Sequence, residues 1–116
     1  MERSQEITEN YLKFIENHVD DVANGIVPEF LELNKIAEKL AISHRHLTDT
    51  VKKETGNHPC HFYDKKIIEK AQTMLLQTDD SIALIAEKLT YDPSNFSKFF
   101  KKWTGITPNE FRKTHA

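Results

Sequence analysis

The chain has 116 residues, 38% of them hydrophobic and 29% charged, with a formal net charge of −2, a size that allows one or two small compact units and excludes a large multidomain enzyme. Its longest apolar run, Ile82 to Ala86, falls far short of the about 20 residues that cross a bilayer, and nothing near Met1 has signal-peptide form. The charge is uneven: residues 1–40 hold nine acids and four bases, whereas residues 41–116 hold nine acids and twelve bases.

Residues 1–32 open with Ile7, Tyr11, Leu12, Ile15 and Val19 at helical spacing, which predicts a leading amphipathic helix. An acidic linker follows, broken by Asn24-Gly25-Ile26-Val27-Pro28, and its path is open at this level. In residues 33–59, Leu33, Ile36, Ala37 and Leu40 form the i, i+3, i+4, i+7 stripe of a helix. After the break at Ala41-Ile42, Ser43 is the expected N-cap of a second helix that ends at Gly56. Residues 60–78 place Phe62, Ile67, Ile68, Ala71 and Leu75 on one face of a connector helix, about 27 Å long. Residues 79–116 repeat the helix pair. Ser81 caps a stripe of Ile82, Ile85, Ala86 and Leu89, and Asp92 and Pro93 start a helix that stops at Gly105, before a C-terminal helix. The expected fold is all-α, with about seven helices and two helix-turn-helix motifs joined by the long connector.

An internal repeat supports this division. Ile36-Ala37-Glu38-Lys39-Leu40 recurs as Ile85-Ala86-Glu87-Lys88-Leu89, and Lys52-Lys53-Glu54-Thr55-Gly56 as Lys101-Lys102-Trp103-Thr104-Gly105, both at an offset of 49. The same offset carries Leu47 onto Phe96, Val51 onto Phe100, Pro59 onto Pro108 and Phe62 onto Phe111 without an insertion. A duplicated supersecondary unit explains this.

In a helix-turn-helix the first helix braces the second, whose outward face enters the DNA major groove. At about 100° per residue, Leu47, Thr50, Val51 and Glu54 fall on the inner side, opposite Arg45, Thr48, Asp49 and Lys52. In the second copy Phe96, Phe99, Phe100 and Trp103 face inward, and Ser94, Ser97, Lys98 and Lys101 outward. The stretch with Lys98, Lys101, Lys102, Arg112 and Lys113 against Glu110 has the sign of a polyanion-binding surface. The connector length is comparable with the ~34 Å between successive major grooves on one face of DNA. One chain could then read two adjacent grooves without dimerising, favouring an asymmetric site.

Other chemistries find less support. His44, His46, His58, Cys60 and His61 cluster in sequence, but their spacing matches no common zinc pattern. His46 and His61 are expected to be partly buried or near phosphate, and Cys60 to be a small buried hydrophobe in a reducing, cytoplasmic compartment. There is no Gly-rich phosphate loop, paired nucleophile or carboxylate pair, so neither catalysis, a cofactor nor a metal is expected.

The runs Ser43-His44-Arg45-His46-Leu47 and Lys52-Lys53-Glu54-Thr55-Gly56, the connector with Phe62-Tyr63 and Ala71, and the stretch from Asp92-Pro93-Ser94-Asn95-Phe96 through Trp103-Thr104-Gly105-Ile106-Thr107-Pro108 resemble the DNA-binding domain of AraC/XylS transcription factors. The resemblance covers about residues 4–113 and implies promoter binding, usually activation, with RNA polymerase a possible partner and any oligomerisation supplied by another domain. It implies base contacts from Arg45, Thr48, Asp49, Ser94, Asn95 and Lys98. Ser43, Lys52, Ser97 and Lys101 suit phosphate positioning, and Lys98 can do either. Two positions depart from the family pattern. Thr90 stands where a glycine is usual, in a turn one residue shorter than the family's. Asp49 would repel phosphate unless it accepts from cytosine N4. The reading is therefore a sequence-specific double-stranded DNA-binding domain of a transcriptional regulator. A helical protein-interaction module of the same fold is the alternative.

Overall fold

The computed structural model describes residues 3–115. It comprises α1 (Arg3–Ala23), α2 (Leu33–Lys39), α3 (His44–Thr55), α4 (Pro59–Gln77), α5 (Ile82–Lys88), α6 (Pro93–Thr104) and α7 (Pro108–Thr114). Every boundary of α2 and α3 recurs 49 residues later in α5 and α6, and α7 starts 49 residues after α4. Among the described residues no helix is long and apolar enough to cross a membrane.

Local chemistry fixes the ends. Ser43 accepts from the His46 N–H, Ser81 from the Leu84 N–H, and Asp92 from the N–H groups of Ser94 and Asn95. Each satisfies a donor that has no partner within its helix. Gly56 and Gly105 close α3 and α6 at φ of 81° and 87°, the left-handed region that suits glycine. Beside them Thr55 and Thr104 each bond back one turn, to Val51 and Phe100, and forward, to Asn57 and Ile106.

The turn inside each motif is a Schellman cap. Ile42 N–H bonds to Ala37 O at 3.1 Å and Tyr91 N–H to Ala86 O at 2.8 Å, with Ala41 and Thr90 at the left-handed position. Neither is a glycine, and their φ values are 61° and 63°. Thr90 therefore adopts the left-handed conformation that suits glycine, and a β-branched residue is strained there.

Two cores result. The first gathers Tyr11, Ile15 and Val19 of α1, Ile36 and Ala37 of α2, Leu47 and Val51 of α3, and Tyr63 and Ile67 of α4. The second gathers Ala71 and Leu75 of α4, Ile85 and Leu89 beside α5, Phe96 and Phe100 of α6, and Phe111 of α7. Helix α4 serves both, its first half in one and its second half in the other. The buried Tyr11 hydroxyl donates to Pro59 O at 2.7 Å, tying α1 to the start of α4. Burial holds that phenol far above its ordinary pKa, so it remains a neutral donor. The molecule is elongated, 44 by 28 by 22 Å.

The linker of residues 24–32 is folded onto the helices. His18 Nε2 accepts from the Leu31 N–H at 3.0 Å, the Tyr63 hydroxyl donates to Leu31 O at 2.9 Å, and Phe30 packs between the two cores.

Candidate nucleic-acid interface

Helices α3 and α6 sit at the same place in their repeats, each braced from behind by the preceding short helix. Leu47, Thr50 and Val51 anchor α3, and Phe96 and Phe100 anchor α6. Phe99 and Trp103 are half-buried at the edge of the second core. With those faces inward, Arg45, Asp49 and Lys52 of α3 and Ser94, Asn95, Lys98 and Lys101 of α6 are exposed, and Thr48 and Ser97 half-exposed. Ser43 is also exposed, but its oxygen is engaged as the α3 N-cap, leaving the hydroxyl proton free to donate.

The two faces differ in charge. Helix α6 carries Lys98, Lys101 and Lys102 and no acid; α3 carries Arg45, Lys52 and Lys53 against Asp49 and Glu54. Arg45 Nε lies 3.7 Å from Asp49 Oδ2, one turn along the same face, with the two side chains 93% and 69% exposed. An open pair of this kind is worth at most about 0.5 kcal/mol. The guanidinium can leave it.

Three expectations require correction, and that for His46 and His61 loses its partly buried alternative. Glu54 lies on the α1 side as its periodicity implies, but it is exposed rather than part of the buried inner face. It lies at the end of α3 and accepts from Ser4 Oγ of α1 at 2.6 Å. Arg112 does not add to an open cationic surface, because its Nε donates to Leu75 O at 3.0 Å and its NH2 group to Thr78 O at 3.2 Å. It clasps the carbonyl end of α4, where helix groups lack partners and a cation is favoured. Cys60 is exposed on the first turn of α4. Its thiol is pushed up by partial burial and by Asp64. His46 and His61 are both exposed; the His61 ring packs on Trp103 at 5.3 Å between centroids.

Lys53, which the sequence reading did not single out, is exposed beside Lys52 at the end of α3, as Lys102 of the expected cationic stretch is beside Lys101 at the end of α6. Their signal was the repeated Lys-Lys pair. Among the described residues no group of three His, Cys, Asp or Glu side chains is placed to hold a metal ion.

Comparison with known proteins agrees with this geometry. A family profile described as a helix-turn-helix domain matches residues 36–114. The HTH-type transcriptional regulator YtdP of Bacillus subtilis is 36% identical over 101 residues, covering 84% of this chain and 13% of YtdP. The HTH-type transcriptional activator RhaS of Escherichia fergusonii is 33% identical over 98 residues, covering 84% of this chain and 35% of RhaS. The chain thus spans about a third or less of these curated relatives. Among solved structures, the C-terminal domain of AraT, a response regulator from Geobacillus stearothermophilus, superposes with a TM-score of 0.81 at 33% identity, over 97% of this chain and 88% of that one. The chain belongs to the helix-turn-helix family of AraC/XylS-type transcriptional regulators.

Proposed function

We propose that this chain is a sequence-specific double-stranded DNA-binding module that inserts α3 and α6 into adjacent major grooves of an asymmetric promoter site. The reading rests on the pair of repeated, exposed helix faces, each polar outside and anchored by buried residues within, one of them with three lysines and no acid. Arg45, Thr48 and Asp49 from α3, and Ser94, Asn95 and Lys98 from α6, read base edges. Arg45 suits bidentate contact to guanine, Asn95 to adenine, and Asp49 acceptance from cytosine N4. Ser43, Lys52, Ser97 and Lys101 hold phosphates. Both faces lie on one chain, so the module binds as a monomer. It acts in the cytoplasm as an activator that touches RNA polymerase, in line with the activator named for RhaS.

Selection from random double-stranded DNA, followed by titration against salt, tests this. One asymmetric site with two boxes about one helical turn apart is expected. Lys52→Ala with Lys101→Ala should lower the slope of log affinity against log salt by about 1.8, at about 0.9 per phosphate contact. Arg45→Ala should remove about 1–3 kcal/mol of discrimination at one base pair, with a smaller effect on the slope. No enriched site, and binding insensitive to all three substitutions, would overturn the proposal and favour a protein-interaction module.

A further inference from the structure

We propose that the 24–32 segment, through Phe30, sets the angle between the two reading helices and so determines which spacing of two DNA boxes the chain accepts. The inference builds on the DNA reading above and adds specificity-determining residues that touch no DNA. The links leading into the two motifs differ: residues 78–81 precede α5, whereas the longer stretch 24–32 precedes α2. The extra length is spent on contacts between the lobes. The chain folds back after α1, with the N–H groups of Ile26 and Val27 both bonded to Asp21 O. Leu31 is then held at both backbone atoms, its N–H by His18 Nε2 and its carbonyl by the Tyr63 hydroxyl.

Between those anchors Phe30 is delivered to a junction. Its ring meets His18 and Tyr63 edge-on, each at 6.0 Å between centroids, and Tyr91 at 6.5 Å. Tyr91 belongs to the turn before α6 and stacks on Phe99 of α6 at 5.4 Å and 13°. Phe30, Tyr91 and Phe99 each pack against both cores. Apart from this junction and Ala23 at the end of α1, which is buried in the second core, the larger helix–helix contacts between the α1–α3 and α5–α7 lobes among the described residues run through α4. One long helix is a single joint about which two lobes can twist; a second line of contact off its axis removes that freedom. Shifting a box by one base pair turns it by about 35° and moves it about 3.4 Å, so a locked angle rejects wrong spacings and a free one tolerates them.

Two measurements on the full chain test this. In a Cys60→Ser background, spin labels at Lys53→Cys and Lys102→Cys report the separation of α3 and α6 without DNA. A narrow distance distribution is expected for the otherwise unchanged chain and a wider one for Phe30→Ala. In the second arm, unlabelled chains bind a panel carrying the selected boxes at spacings from two base pairs below to two above the optimum. The native chain should lose about tenfold per base pair, comparable with loss of one good base contact, and Phe30→Ala less than about threefold. Affinity for a single isolated box should stay equal. An equally narrow distribution or an equally sharp spacing optimum in Phe30→Ala would overturn the inference. Should Phe30→Ala fail to fold, Tyr91→Ala opens the same junction from the other lobe and is read by the same criteria. Failure of the native chain to bind any site would remove both the DNA reading and the spacing role, while the distance distributions would still decide whether the junction locks the lobes.

Discussion

The two helix-turn-helix motifs share one frame and differ in what fills it. At equivalent positions α3 anchors itself with Leu47 and Val51 and α6 with Phe96 and Phe100; Ser43 caps one and Asp92 the other. Outside, α3 has mixed charge and α6 is purely cationic. Helix length, caps and turn persist because they answer to backbone hydrogen bonding, which tolerates no half-measures. Side chains on the same frame vary freely provided inside stays apolar and outside polar. On the proposed DNA reading, the first motif is thereby suited to discrimination and the second to attachment.

The comparison can be pressed hardest in the cores. Phe100→Ala removes a fully buried ring packed on Phe96 and Phe111 and should cost about 3–5 kcal/mol in urea unfolding. Val51→Ala, the same site in the first motif, should cost about 2 kcal/mol. Equal losses would mean that the aromatic core adds nothing. Next in size, Asp49→Asn removes the negative charge from the α3 face and frees Arg45 from its pair. Affinity for non-specific DNA should rise about fivefold, near 1 kcal/mol, while preference for the selected site falls. An unchanged non-specific affinity in a salt titration would show that Asp49 lies away from DNA.

A smaller effect separates the turns. Thr90→Gly relieves the left-handed backbone of a β-branched residue, and should stabilise by about 0.5–1 kcal/mol after the greater freedom of glycine in the unfolded chain is counted. Ala41→Gly should gain less, since alanine is not branched, and melting curves of the two variants decide it. The smallest expected effect concerns the first lobe alone. Burial holds His18 below the ordinary histidine value, with Asp21 opposing and Lys39 assisting. Below about pH 6.5 the unfolded chain therefore binds more protons at this residue than the folded one. Its contribution to stability falls as pH drops through that value toward the lower folded one. Between pH 7.5 and 5.5 the native chain should lose more melting temperature than His18→Gln. Parallel losses would show that the folded and unfolded chains bind protons equally at this ring.

Much of the architecture was legible because its signals are local. The caps at Ser43, Ser81 and Asp92, the terminating Gly56 and Gly105 and the inward stripes are all set by residues within a few positions of one another, and the 49-residue offset repeats them. The same holds for the outward placement of Arg45, Lys52, Lys98 and Lys101. What escaped depends on partners distant in sequence. Arg112 reaches Leu75, Glu54 meets Ser4, His61 lies on Trp103, and Phe30 finds Tyr91. Periodicity placed Glu54 on the inner side, but the helix end there opens to solvent, so a carboxylate is tolerated. The left-handed Ala41 gave no signal, because alanine does not advertise that conformation, and Thr90 gave one only through the glycine usual at its place in the family.

Helix α7 begins as α4 does. Pro59 and Pro108 are each the first residue of their helix, each buried, each entered 49 residues apart on one frame. The connector runs for 19 residues and α7 for 7, so about three more helical turns with the connector's apolar stripe would convert the final helix into a second spacer. A further short link and helix pair grafted behind it would place a third helix-turn-helix motif at the same pitch. The fold is thus a ruler with a modular graduation, extendable by copying the segment between its proline marks.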